Sequence, residues 1–287
     1  MIQYINEKVF TIDTGPNMFM GFDEGNSVIL FDTGIDESVG RKIDKILGKP
    51  VSLIVNSHSH ADHIGGNSYF QKRYNSKVFA EPGELSFLNN TELEPSLLNG
   101  GYWEFLLSDK FLKAKNSMVE PIDREILSQK GIEILDLSGH SPSLIGLKID
   151  KIVYLGDALF SGDIIEKYRV LYLYDVGRFE KSLSTIEELN FEKAVICHKG
   201  LYDKEVIHDL IDINRKHTAT IKSLILENSQ GTTDYEITEA ILNKLSIEPN
   251  LTIYMLILST IRGYLSYLQK TGEVEMVFDK GVRWKRK

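Results

Sequence analysis

The chain has 287 residues, 26% of them charged, and a formal net charge of −8, enough length for one large domain or two ordinary ones with a real core. The acidic balance argues against wholesale nucleic-acid binding, and the single cysteine, Cys197, has no partner for an intramolecular disulfide. No run of about 18 apolar residues is present and the opening "MIQYINEKVF" lacks the basic start and apolar core of a signal peptide, so a cytoplasmic protein without a membrane span is expected.

The first segments, "EKVFTID", "NMFMGFD" and "SVILFDTG", are short, rich in β-formers and separated by Gly, Asn and Asp, which predicts strands and turns. In "DESVGRKIDKILG", Val39, Ile43, Ile46 and Leu47 recur at helical spacing and Gly48 supplies a stop. A buried strand, "VSLIVN", then runs directly into "SHSHADHIGGN". Residues 84–118 predict short helices with exposed aromatics, an insertion able to cover a site. Strand signals resume in "GIEILDL", "LIGLKID" and "KIVYLGD"; "SLSTIEELN" is helical and "KAVICH" a strand. Strands and helices in two mixed blocks predict an α/β (α+β) fold with sheets packed between helices.

The last 73 residues differ in charge. Residues 215–287 hold 11 basic and 8 acidic side chains, +3, leaving 22 against 33, or −11, for residues 1–214. Two units, 1–214 and 215–287, are therefore expected. In the second, Thr233 and Glu236 form a capping box ahead of a helix with Ile237, Ala240, Ile241 and Leu245 on one face. A long helix through "TIYMLILSTIRGYLSYL" follows, interrupted in apolarity by Arg262 and Gly263. The chain closes with "EVEMVF-DKG-VRWKRK", two strands around a tight turn. That order predicts a winged-helix-like unit. Its long helix carries only Arg262 and Lys270 as cations, few for a reader of nucleic acid; dimerisation or covering of a pocket suits its Tyr, Leu and Ile content better.

The chemistry begins at His58, His60, Asp62 and His63. In an extended segment, His58 and His60 point to the same side, and Gly65-Gly66 allows a sharp turn. Imidazole and carboxylate are preferred donors for Zn²⁺ after thiolate. Four such groups within six residues exceed what one tetrahedral ion collects from a single loop, so two ions are expected. Further donors each follow a predicted strand: His140 in "LDLSGHSPS", Asp157 in "VYLGDALF" and His198 in "VICHKG". Five of the seven histidines fall on this pattern; His208 and His217, in a polar helical stretch, do not and are expected to be solvated. Asp32 is expected to orient a ligand rather than to bind metal, and Cys197 to be a small buried residue at a strand end.

This order, His58/His60/Asp62/His63, then His140, Asp157 and His198, with "VILFDTG", "HADHIGGN" and "GDALF" around it, resembles the metallo-β-lactamase superfamily of metallohydrolases. The resemblance covers roughly residues 1–210. It implies a four-layer αββα sandwich, with one metal on His58, His60 and His140, the other on Asp62, His63 and His198, and Asp157 between them. The chain departs from the family's common "PGHTPG" with "SGHSPS", and from its Gly-His with Cys197-His198; neither change removes a ligand.

The resemblance implies two Zn²⁺, with iron or manganese as alternatives. Ions about 3.5–4 Å apart give hydroxide near neutral pH for attack on a carbonyl or phosphorus, with Asp62 orienting the nucleophile and able to accept its proton. The motif set most resembles hydroxyacylglutathione hydrolases, which hold their substrate with a Lys and a Tyr shortly after the bridging Asp. Lys167 and Tyr168 stand at a similar distance and are candidates for substrate binding, an ordinary surface loop being the alternative. An ester, thioester or lactone-type small molecule is the expected substrate. A ribonuclease-like phosphodiesterase, an iron-dependent sulfur-compound oxygenase and a non-enzymatic metal sensor are the other readings, and a homodimer through the C-terminal unit is an expectation for assembly.

Overall fold

A computed structural model describes residues 1–287 and places twelve strands in two facing sheets. The first sheet runs in chain order: Ile2–Tyr4, Val9–Asp13, Met18–Asp23, Val28–Phe31, Val51–Val55, Lys77–Ala80 and Glu120–Pro121. Its first four strands are antiparallel and the last three continue in parallel. The second has the order Gly200–Asp203, Lys193–Ile196, Ile152–Gly156, Ile145–Ile149, Ile132–Asp136, with one parallel pair, Ile152–Gly156 beside Lys193–Ile196. Parallel neighbours need a crossover; helices Glu37–Leu47, Asn67–Tyr74 and Val176–Glu188 supply three of them.

Period-2 alternation sorts the side chains into layers. Ile29, Phe31 and Val55 of the first sheet meet Ile152, Tyr154 and Leu147 of the second in a core between the sheets. Their neighbours Val28, Leu30 and Ile54 face the other way, onto Ile43 and Phe70 of the helices. Val153, Leu155 and Ala194 likewise face Phe179, Leu183 and Ile186. The result is the αββα sandwich. Local chemistry agrees with it: helix Glu37–Leu47 starts on the Asp36 carboxylate, which accepts from the Ser38 and Val39 amides, and stops at Gly48 with φ 60°.

The C-terminal region contains the expected elements and one more. The Thr233–Glu236 capping box opens helix Asp234–Lys244; helix Leu251–Thr271 follows, then the hairpin Val274–Phe278 and Val282–Arg286, turning through Asp279-Lys280-Gly281. A short strand the sequence did not signal, Gln230–Thr232, pairs with the second hairpin strand, Val282–Arg286, which becomes the middle of a three-stranded sheet. The division expected between residues 214 and 215 falls inside one unbroken helix, Lys204–Asn228. Ile207 and Ile211 at its start and Ile221 and Ile225 near its end belong to one continuous hydrophobic core.

Helix Leu251–Thr271 is also long and apolar enough, by length and mean hydropathy, to cross a bilayer. Here Ile257, Ile261, Tyr264, Leu265 and Leu268 are buried in the core. Gly263 has a packing reason: a Cβ there would stand 3.2 Å from the Tyr174 carbonyl, so the helix backbone lies directly on the 171–175 segment.

His217 departs from expectation. Rather than being solvated, it is partly buried, and its Nε2 has no hydrogen-bond partner. Burial disfavours the charged ring and pushes its pKa down from 6.5 to about 4. The unfolded chain then takes up the proton first, so this group's stabilisation is full above about pH 6.5 and declines as pH falls toward 4. His217→Gln is expected to flatten that decline: the gap between urea midpoints at pH 7 and pH 4.5 narrows relative to the unmodified chain.

Candidate metal centre

The candidate donors stand at strand ends on one rim of the sandwich. Strand Val51–Val55 delivers His58 and His60; the short helix Ala61–Ile64 carries Asp62 and His63 in its first turn. The turn after it is tightly seated. A Cβ on Gly65 would lie 2.0 Å from the Ile35 carbonyl and one on Gly66 2.5 Å from that of Thr33. From the second sheet come His140, between strands Ile132–Asp136 and Ile145–Ile149, Asp157 after Ile152–Gly156, and His198 after Lys193–Ile196. The two rims close on each other at Gly156, where an added Cβ would meet the Ser57 hydroxyl at 3.0 Å.

All seven expected donors are brought together. Ligand atoms of His58, His60 and His140 lie within 4.8 Å of one another, and so do those of His63, Asp157, Cys197 and His198. Asp62 Oδ2 is 3.3 Å from His198 Nε2 and 3.8 Å from His63 Nε2. Asp157 faces both groups: Oδ1 is 3.5 Å from His63 Nε2, and Oδ2 is 3.7 Å from His140 Nε2 and 3.2 Å from His198 Nε2.

The imidazoles are aimed from behind. His63 Nδ1 donates to Asp32 Oδ2 at 2.8 Å and His140 Nδ1 to the Tyr172 carbonyl at 2.9 Å; His58 Nδ1 is 3.0 Å from the Ser57 hydroxyl. These contacts leave the Nε2 atoms facing the centre. His60 presents Nδ1 there, 2.9 Å from His140 Nε2, while its Nε2 lies 3.6 Å from Glu94. Asp32, fully buried, also accepts from the Ser57 amide and hydroxyl and from the Tyr154 hydroxyl.

His58 Nε2, His63 Nε2 and Asp157 Oδ1 are buried and have no hydrogen-bond partner. Orphaned buried polar atoms are costly; these three converge, and their donor types suit divalent metal. Thus the residues fit the metal pair that the sequence implies. The charges are arranged accordingly. Burial and the neighbouring imidazoles hold His58 well below its ordinary pKa, and burial with His140 does the same for His60, so both stay neutral. Against burial, His198 and His63 hold Asp157 well below the usual carboxylate range, and His63 and His198 hold Asp62 low.

Two site residues, Glu84 and Glu94, gave no sequence signal. Buried Glu84 accepts from the Ser141 hydroxyl and the Ser143 amide at 2.7 Å and from the Ser59 amide at 3.1 Å, tying the two histidine loops together. Glu94 approaches His60 from the insertion, and burial with the Glu84 and Asp62 charges pushes its carboxyl well above the usual range. Cys197 is buried as expected, yet its thiol joins the second donor group and accepts from the Asn17 amide at 3.2 Å.

A cavity of 320 Å³ opens over the donors. Its lining includes His60, Asp62, His140, Asp157 and His198, and aliphatic side chains from both the 160–172 segment and helix Leu251–Thr271. Tyr168 lines it; Lys167 does not, its ammonium lying 4.6 Å over the Tyr168 ring and 3.1 Å from the Tyr168 hydroxyl.

Comparison with known proteins agrees with this geometry. Residues 14–198 match the family model of the metallo-beta-lactamase superfamily. A probable metallo-hydrolase of Bacillus subtilis is 28% identical over 66% of this chain and 84% of its own length. Hydroxyacylglutathione hydrolases of Buchnera aphidicola and Prochlorococcus marinus (strain MIT 9312) are 23% and 28% identical, over 61% and 63% of this chain. The matches span 58% and 63% of those two relatives. In fold, a beta-lactamase domain protein of Burkholderia ambifaria superposes with a TM-score of 0.76 at 15% identity, covering 100% of this chain and 93% of that one. A metallo-beta-lactamase family protein of Thermus thermophilus gives 0.73 at 16% identity, covering 99% and 100%, so the likeness of fold includes the C-terminal region. The chain belongs to the metallo-beta-lactamase superfamily of metal-dependent hydrolases.

Proposed function

We propose that this hydrolase cleaves an ester, thioester or lactone of a small molecule, with two zinc ions held by His58, His60 and His140 and by Asp62, His63 and His198, and Asp157 between them. The observation that carries the reading is the convergence of buried, partnerless His58 Nε2, His63 Nε2 and Asp157 Oδ1 beneath a cavity. Bound there, the ions supply Lewis-acid polarisation and a water acidic enough to ionise near neutral pH.

The chain's own residues do the rest. Asp32, Ser57 and the Tyr172 carbonyl fix the imidazole orientations before substrate arrives. Asp62, whose side chain is the more exposed of the two central carboxylates, accepts the proton of the attacking water at its carboxylate. Tyr168 borders the bound substrate, while Lys167 acts through it. Helix Leu251–Thr271, in the C-terminal region we read as winged-helix-like, walls the cavity, so covering the site is that region's proposed role. Two relatives named hydroxyacylglutathione hydrolase support the thioester branch of the reading. The test is turnover of matched aryl esters, acyl thioesters and lactones by the zinc-loaded chain, with β-lactam and RNA alongside. Hydrolysis of a carbonyl substrate that stops on chelation is expected; cleavage of RNA alone would overturn the reading.

A further inference from the structure

The cavity above the donors has a chemical bias that its floor does not explain. One side is a continuous aliphatic and aromatic wall: Phe160, Ile164, Val170 and Leu171 from the 160–172 segment, and Ile253 and Ile257 from helix Leu251–Thr271. Away from the histidine and aspartate donors, the polar lining is Glu94, Asp109, Asn250, Thr252 and two tyrosines, and none of the 20 lining residues is Lys or Arg. The lysine nearest in sequence to this wall's lining tyrosine, Lys167, is turned onto Tyr168 rather than into the cavity. The C-terminal half of the wall is packed from behind. Leu98, Leu106 and Leu112 of the insertion pack on Met255 and Leu258, and the Thr252 hydroxyl donates to Asp109.

An anionic group far from the reacting carbonyl, and so out of reach of the metal donors, would lose its water among aliphatic side chains, find no Lys or Arg and approach Asp109. That is a severe cost for a buried charge. An alkyl chain in the same place gains from leaving water. We infer that the chain's substrate is an uncharged acyl compound whose aliphatic tail lies along the wall shared by the 160–172 segment and helix Leu251–Thr271, and that this wall rejects acyl groups bearing a carboxylate. The inference rests on the acyl-hydrolase reading above and narrows it: a tail ending in a carboxylate, as in a dicarboxylic monoester, is selected against.

Binding and turnover separate the two claims. Octanamide and its carboxylated counterpart, suberamic acid, are not expected to be cleaved quickly, and their binding to the full-length, zinc-loaded chain is read by calorimetry. Octanamide is expected to bind at least roughly tenfold tighter. The 4-nitrophenyl octanoate and suberate monoesters are expected to differ in kcat/KM by at least that factor, with octanoate turned over faster than acetate. Ile253→Lys places a cation on the wall and is expected to shift the octanoate-to-suberate preference about tenfold toward suberate. Leu256→Lys repeats the test on the next turn, and both positions are only partly buried. Equal or tighter binding of suberamic acid by the unmodified chain overturns the inference. Preferential octanamide binding without hydrolysis of either ester supports the wall's preference for an uncharged alkyl tail and overturns the acyl-hydrolase reading instead.

Discussion

His60→Ala is expected to cut kcat about a thousandfold, the equivalent of roughly 4 kcal/mol of transition-state stabilisation, and to lower bound metal from two equivalents toward one. His60 is the informative choice among the histidines. His58 and His63 are fully buried, so truncating either leaves a hole in the core and confuses lost folding with lost chemistry. His60 is partly exposed at the start of the short helix Ala61–Ile64, and its imidazole stands between Glu94 at 3.6 Å and His140 at 2.9 Å. Its loss should leave the melting temperature of the metal-free protein nearly unchanged. Metal content by mass spectrometry and steady-state kinetics on the same preparation check it; full activity with one fewer ion would remove His60 from the mechanism.

Asp32→Asn tests the layer behind the donors and is expected to weaken metal binding roughly 10- to 100-fold. Asp32 has φ 64°, in the left-handed region that Asn tolerates, so the backbone is undisturbed. The hydrogen bonds are not. Its Oδ2 accepts from His63 Nδ1, the Ser57 hydroxyl and the Tyr154 hydroxyl, and Oδ1 from the Ser57 amide. An amide in that place offers one acceptor oxygen and turns an NH₂ toward at least one of these donors. Each buried donor left unpaired costs about 1–3 kcal/mol, and His63 loses the carboxylate that aims its Nε2. Excess zinc should then recover much of the activity, a rescue that simple misfolding would not show. Metal affinity equal to that of the unmodified chain would mean Asp32 serves the fold alone.

These two residues show what the chain's order of amino acids made legible. His60 belongs to a dense cluster of donor types at a strand end, and density of that kind survives without any three-dimensional information. Asp32 was legible as an orienting group only through its strand-end context. Glu84 and Glu94 were not: each is one acidic residue in an irregular insertion, and only folding brings them 57 and 34 residues across the chain to Ser141 and His60. Strands such as Ile2–Tyr4 and Gln230–Thr232 were too short for period-2 alternation to show. The charge change after residue 214 was real in composition, but helix Lys204–Asn228 runs through it because both halves bury an apolar stripe in the same core. For the same reason a polar-looking histidine, His217, ended partly buried.

The central claim, hydrolysis that depends on two metal ions held by these donors, is tested most directly by titrating zinc into the metal-free chain while following ester or thioester hydrolysis. Two equivalents bound per chain, with hydrolysis absent from the metal-free protein and restored as they bind, is the expected result; hydrolysis undiminished in the metal-free chain would contradict it.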